Sequence, residues 1–414
     1  MRIIHHDRNQ GLACARNSGA LAAKGLYIIF LDPDDLLDPM ALEKLLIFGL
    51  SVIGQPVPHF HDAYYGFVYS GVRHFGDMDQ ISYADYNPAK LLKDNYLTST
   101  ALIPRKLYLQ IGGNCPRSIL DYFEDYDFWL RMLSLGYHGK LLHEPLFLYR
   151  RHDTGQSKSL IQGVSDHEWK REARQHNPIA YGDLPKSTVC KMLNARDAQS
   201  EVFPCYGSIR TTSSASFWSD WLFAKSPSIQ PVQWCQEIDL VSKSFTLKSL
   251  SQSSKTQLQQ SHEEKIRVLY LIPWMVMGGA DLYDLQVLES LSQSMKYHIT
   301  LVVARHIPVH PWEARFRPLV HEIFHLQRLT NDSRIEEDIL DYLMDSRNIK
   351  MVINSRTIAG YQSFKRWQSN PHIKKVDILH LHEPASRSGW EWRAGQIGSI
   401  IDRRIVVSQN LKVC

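Results

Sequence analysis

The chain has no hydrophobic run long enough to cross a bilayer. The most apolar stretch, Leu45 to Gly54, falls well short of the roughly 18–20 residues a spanning helix needs. Its first residues, Met1 to Asp7, lack a signal-peptide pattern and are expected to form a strand around Ile3-Ile4-His5-His6. Cysteine is sparse: Cys14, Cys115, Cys190, Cys205, Cys235 and Cys414 are scattered and form no C-x-x-C pair. That argues against a zinc cluster and a disulfide framework, and points to reduced thiols in the cytosol. No excess of one charge exists either, with 47 basic against 43 acidic side chains and a net charge of +4. A nucleic-acid partner held by gross charge is therefore not expected. Neither opening strand is followed by G-x-G-x-x-G, which disfavours a dinucleotide oxidoreductase.

What is present is the composition of a globular protein, 44% hydrophobic and 22% charged over 414 residues, with room for two or three domains. One stretch organises the first of them. Tyr27-Ile28-Ile29-Phe30-Leu31 is apolar throughout and predicts a buried strand; Asp32-Pro33-Asp34-Asp35 then crowds three carboxylates into four positions. Pro33 cannot continue a ladder, so the strand ends in negative charge, where ligands of open α/β sheets bind. Carboxylates that close repel one another unless a cation or donors sit among them, and oxygen ligands of this kind suit Mg²⁺ or Mn²⁺. Taken alone, the tetrad reads more readily as a turn than as a metal site.

Upstream lie Asn9-Gln10-Gly11 and Ala15-Arg16-Asn17-Ser18-Gly19, with a helix predicted from Ala13 to Lys24. Downstream, Asp38-Pro39 predicts the start of a helix to about Phe48. Strands are expected over Tyr64 to Val72 and Thr98 to Ile103, and a helix from Arg105 to Ile111 ending at Gly112-Gly113. The second chemical landmark is Tyr122-Phe123-Glu124-Asp125-Tyr126-Asp127-Phe128-Trp129-Leu130-Arg131. Helical spacing puts Asp125 on the face of Phe128 and Trp129, where partial desolvation raises a carboxylate's affinity for a proton, as a general base requires. Acids in a first helical turn also simply complement the helix dipole. Leu146 to His152 closes the unit with Tyr149-Arg150-Arg151-His152.

The run N-x-G-x-x-x-A-R-N-x-G, strand, D-x-D-D, then E-D before W-L-R, then Y-R-x-H, resembles the family 2 glycosyltransferases of the GT-A fold. The resemblance implies a metal-dependent, inverting transfer of a sugar from a nucleotide-sugar donor, of UDP-sugar type, to a hydroxyl of a glycan-, lipid- or protein-linked acceptor. It makes Asp125 the catalytic base with Glu124 beside it. It gives Asp32, Asp34 and His152 to the Mn²⁺ or Mg²⁺ ion, and Arg16, Asn17, Asp32 and Arg150 to the donor. The expected location is the cytoplasm, including the inner face of a membrane through peripheral contact, in polysaccharide biosynthesis. The opening of that family's domain is missing from the run, so the alternative is a non-catalytic scaffold or a fragment lacking a complete donor site.

Residues 156–264 are expected to be linker and loosely assigned chain, with Ser242 to Glu264 rich in Ser, Gln and Lys. From Lys265 a second α/β unit is expected. A strand Ile266 to Ile272 leads to Gly278-Gly279 and a helix with Leu282, Leu285, Leu288 and Leu291 on one face. Further strands are expected over His298 to Ala304, Met351 to Asn354 and Val376 to His382. Gly278 and Gly279 would offer backbone N–H groups to a donor's phosphate. His380 and His382 share one face of their strand, with Glu383 next; a metal site or cleft-lining role is open to them. The set from M-G-G-A-D to V-D-I-L-H-L-H is similar to the amino-terminal Rossmann lobe of family 4 glycosyltransferases of the GT-B fold. The expected class is thus α/β, a partial GT-A domain (1–155) followed by an incomplete GT-B-type lobe (265–414).

Overall fold

In the computed structural model the described residues are 2–60, 63–115, 124–152, 166–178, 180–182, 265–380 and 390–407. They divide into two compact units, Met1–Lys243 and Ser244–Cys414. Both are α/β, as expected. Among the described residues no helix is long and apolar enough to cross a membrane.

In the first unit, α1 (Gly11–Ala22) precedes β1 (Tyr27–Ile28), and β2 (Leu36–Leu37) precedes α2 (Ala41–Val52). Then come β3 (Tyr64–Gly76), β4 (Gln80–Ser82), α3 (Pro88–Leu91), β5 (Ile103–Pro104) and α4 (Arg105–Gln110). The unit continues with α5 (Glu124–Ser134), β6 (Tyr137–Arg151) and α6 (Asp166–His176). A four-stranded sheet runs β2-β6-β3-β4, with β3 and β6 parallel and both outer pairings antiparallel. β1 and β5 form a separate antiparallel pair, joined to β3 through a bridge between Val68 and Leu102. The core lies between β3, β6 and α5, where Trp129 stacks on Phe67 with ring centroids 4.4 Å apart.

Several sequence expectations change here. Ile3 and Ile4 are 65% and 43% exposed and form no strand: their apolar side chains have no surface to cover. The strand expected over Tyr27 to Leu31 is only Tyr27–Ile28, because its partner β5 is two residues long before α4 begins. Leu31 is consequently exposed, and Asp32 to Asp35 form a turn closed by Asp35 N–H to Asp32 O at 3.1 Å. The strand expected over Thr98 to Ile103 is likewise reduced to Ile103–Pro104, and the other described elements fall within a few residues of expectation. Asp38 and Pro39 lie in the turn before α2, Asp38 Oδ1 accepting from Met40 N–H at 2.8 Å, and the helix itself is capped at Met40.

The first unit also extends past residue 155. On and just after α6, Trp169 meets the Tyr126 ring edge-on at 5.3 Å and Asn177 donates to Asp127 Oδ1 at 3.1 Å. Tyr181 lies 3.2 Å from the Tyr126 hydroxyl.

The second unit is a parallel sheet ordered β12-β11-β10-β7-β8-β9. Its strands are β7 (Ile266–Ile272), β8 (Tyr297–Val303), β9 (Glu322–His325), β10 (Met351–Ser355), β11 (Lys374–Leu379) and β12 (Arg403–Val406). Helices α7 (Gly279–Gln293), α8 (Glu313–Phe316), α9 (Leu326–Leu329), α10 (Ser333–Ser346), α11 (Ile358–Arg366) and α12 (Trp390–Gln396) connect them. The near-continuous apolar strands fit a sheet covered on both faces. Leu285 and Leu288 of α7 join the core, but Leu282 of the expected stripe is 41% exposed.

The turn after α4 shows how tightly the first unit closes. Gly113 has φ +67°, and a Cβ there would lie 2.3 Å from Asn17 Oδ1. Gly113→Ala should cost about 1–3 kcal/mol or more, a fall of roughly 2–4 °C in melting temperature per kcal/mol. Gly19 of α1 faces open space, so Gly19→Ala should be stabilising by roughly 0.5–1 kcal/mol. Thermal unfolding followed by circular dichroism checks both signs.

Candidate active site

Three segments distant in sequence meet through one guanidinium. Arg16, on the buried face of α1, is 7% exposed. Its Nη1 donates to Glu124 Oε1 at 2.5 Å, and its Nη2 to Asp32 Oδ1 at 2.9 Å and Ser99 Oγ at 3.0 Å. The acidic turn after β1 and the acidic start of α5 are thereby drawn to the same point. Arg16, expected to touch the donor, is in this structure the clamp between these two carboxylate groups.

The charge balance is uneven. Asp32, Glu124 and Asp125 surround one Arg, leaving two negative charges if all three ionise. Burial, with repulsion from Asp125, pushes Glu124 up to about 7. Burial also raises Asp125, against the pull of Arg16 and hydrogen bonds from Tyr126 N–H and Asn95. This pair holds a proton more tightly than ordinary carboxylates do. Asp125 is half-buried; its Oδ1 accepts from Tyr126 N–H at 2.7 Å and Asn95 Nδ2 at 3.2 Å. Phe128 and Trp129, one helical turn on, are buried beneath it.

Asp34 turns the other way. Its Oδ2 lies 3.3 Å from His152 Nε2, both side chains being partly open to solvent. Asp35 is the buried member of the tetrad, accepting Arg150 N–H at 2.8 Å. Burial and the charges of Asp34 and Asp32 push it up to about 6, against that hydrogen bond. Arg150 was expected at donor diphosphate. Its Nε donates to Asp34 O at 2.8 Å and its guanidinium lies over the Phe75 ring, so it braces the turn from an exposed position.

For a divalent ion the expected set was Asp32, Asp34 and His152. Asp32 Oδ1 is engaged by Arg16, and among the described residues no group of three or more His, Cys, Asp or Glu side chains is arranged around a common point. Asp34 and His152 remain as a solvent-facing pair. That fits Mg²⁺ or Mn²⁺ held by few protein ligands, with water and substrate phosphates completing the shell.

Asn17, also expected at the donor, has its side chain engaged elsewhere. It is wholly buried, its Oδ1 accepting from Tyr108 Oη at 2.7 Å and Asn114 N–H at 2.9 Å, and its Nδ2 donating to Asn114 O at 2.8 Å. Every one of these contacts holds the turn after α4. Asn95 and Ser99 touch the acidic groups and were not singled out from the sequence. They lie 30 and 83 residues from their partners, and no motif spacing marks them.

In the second unit, Gly278 caps α7 and Gly279 opens it. The sheet order changes direction between β7 and β10, where an open α/β sheet has its crevice. The α7 start carries a carboxylate, however: a Cβ on Gly278 would lie 2.7 Å from Asp281 Oδ2, and Asp281 is buried. Asp284 behind it is pushed up to about 6 by burial against the pull of Arg356, which it binds at 3.0 Å. A donor phosphate at Gly278 and Gly279 would face Asp281, whose side chain Gly278 leaves room for, while a Cβ on Gly279 would meet nothing within 4 Å. His380 donates to or accepts from Ser355 Oγ at 3.1 Å within the same network; His382 and Glu383 lie outside the described residues.

The Glu124 contribution to stability has a definite sign. Its folded-state affinity for the proton is raised, so the contribution is complete below the ordinary value of 4.5 and is lost as pH rises to about 7. Wild-type melting temperature should fall relative to Glu124→Gln across that window. Arg16→Met, which leaves Glu124 buried and unpaired, should cost about 3–5 kcal/mol, read by denaturant unfolding at pH 7.

Residues 1–48 match the family model described as Glycosyl transferase family 2. A protein of Haemophilus influenzae, described as an uncharacterized glycosyltransferase, is 29% identical over 189 residues. The similarity covers 42% of this chain and 62% of that protein, so the chain spans less than two thirds of the relative's length. The matched segment contains α1, the Asp32–Asp35 turn and most of α2, and the first unit is therefore similar to family 2 glycosyl transferases over the half of the site that carries Arg16, Asp32 and Asp34.

Proposed function

We propose that the first unit transfers a glycosyl group from a nucleotide-sugar donor, of the UDP-sugar kind, to a hydroxyl of a glycan or lipid-linked acceptor. The observation that carries this reading is the Arg16 clamp, which sets Asp32 beside Glu124 and Asp125. Asp34 and His152 are the proposed ligands of Mn²⁺ or Mg²⁺, with the donor diphosphate completing the shell. When bound, the ion would neutralise charge developing on the departing diphosphate.

Asp125 would take the proton from the acceptor hydroxyl. The acceptor oxygen then forms its bond to the anomeric carbon as the bond from that carbon to the diphosphate oxygen breaks. The nucleoside diphosphate departs with the bonding pair, and displacement from the opposite face inverts the centre. Arg16 keeps Asp125 ionisable in a buried setting, because its charge opposes the burial that favours the protonated form. The proposed location is the cytoplasm, at the inner face of a membrane where the acceptor is lipid-linked.

Transfer of radiolabelled sugar from a panel of UDP-sugars, with Mn²⁺ and with EDTA, tests the scheme. Asp125→Asn should lower turnover about 10²–10⁴-fold while UDP binding by calorimetry is largely retained. Chelation should abolish transfer, and full activity in EDTA would overturn the cation's part. A chain that binds no UDP in the presence of Mn²⁺ would be a scaffold rather than an enzyme.

A further inference from the structure

A single stretch between α3 and β5 touches both halves of the acidic site. Asn95 donates to Asp125 Oδ1 at 3.2 Å, and four residues later Ser99 Oγ accepts from Arg16 Nη2 at 3.0 Å. The stretch is itself held. Tyr96 Oη accepts Asn87 N–H at 2.7 Å, Lys90 Nζ lies 4.5 Å from the centre of the Tyr96 ring, and Tyr126 Oη donates to Leu91 O at 2.7 Å. These contacts give Asn95 a fixed approach to the start of α5.

The two oxygens of Asp125 are unlike. Oδ1 accepts both Tyr126 N–H and Asn95 Nδ2–H; Oδ2 takes no hydrogen bond among the described residues and is not sealed from solvent. Asn95 is also committed in one sense only. Its Oδ1 is buried without a partner among the described residues, and exchanging its amide atoms would set that oxygen against a carboxylate. A polar side chain that leaves its own acceptor unsatisfied while donating to a neighbouring carboxylate is placed for the neighbour.

We propose that Asn95 is a positioning residue for the transfer reaction: it pins Asp125 Oδ1, so that Oδ2 alone faces the acceptor hydroxyl and receives its proton. The inference rests on Asp125 being the base. Ser99 does the corresponding work on the other side by fixing the Arg16 fork. Charged groups facing Asp125 are Arg16, Glu124 and Asp32, and Asn95 is the neutral side-chain donor among them.

The test is Asn95→Ala, with Asn95→Ser as a smaller change should the first fail to fold; the serine hydroxyl is too short to replace the amide. A donor to the ionised form favours that form, so its loss should move the acidic limb of kcat/KM upward by about one pH unit. Below that limb the rate should fall about tenfold, with donor KM unchanged. The same shift should appear, without any turnover, in a ¹³C carboxyl titration of the resonance absent from Asp125→Asn. A merely structural Asn95 would lower stability and leave both titrations where the wild type has them, and that result overturns the proposal. If wild type transfers no sugar to any acceptor, Asp125 as base fails, and the carboxyl titration still decides whether Asn95 orients it.

Discussion

One buried cation among three carboxylates is the constraint on which the first unit depends. Arg16 cannot be taken out of water without partners, and neither can Glu124. The arrangement that pairs them brings α1, the turn after β1 and the start of α5 to one point. Burial of the guanidinium thus fixes a chain path as well as a charge pattern. It also leaves the cluster short of positive charge, and burial raises the proton affinity of both Glu124 and Asp125. The proposed cation pair of Asp34 and His152 lies just outside the clamp, two residues along from Asp32.

Much of this was visible in the sequence because it is local. Three aspartates interrupted by proline after an apolar run, and a Glu-Asp pair opening an amphipathic helix, are patterns of spacing, and spacing survives folding. What spacing could not show is where each side chain turns. Arg16 and Asn17 are adjacent in the same motif. The helix sends one to the acidic cluster and the other into a fully satisfied network around Gly113 and Asn114. The expected β1 shrank to two residues because a strand is only as long as its partner, and β5 is short. Asn95 and Ser99 were silent for the same reason: their meaning lies in contacts made across long stretches of chain.

The second unit makes a related point about glycine. Gly278-Gly279 at the start of a helix invites an anion, since the first N–H groups are unpaired. Here the chain supplies its own, Asp281, buried in the first turn of α7 and backed by the Arg356–Asp284 pair. A pair of glycines opens space without deciding what enters it. That the unit is α/β was legible from the apolar strands alternating with helices; the strand order, with its change of direction between β7 and β10, and the charge there were not.

The account's central claim is that the proposed cation site and the proton-accepting carboxylate belong to one place. Paramagnetic broadening measures this directly, in protein with ¹³C-labelled aspartate carboxyls, titrated with Mn²⁺ and UDP and assigned by single Asp→Asn variants. The account predicts that the Asp34 and Asp125 resonances both broaden, Asp34 first. Broadening of Asp34 with Asp125 left sharp, or of neither, would contradict it.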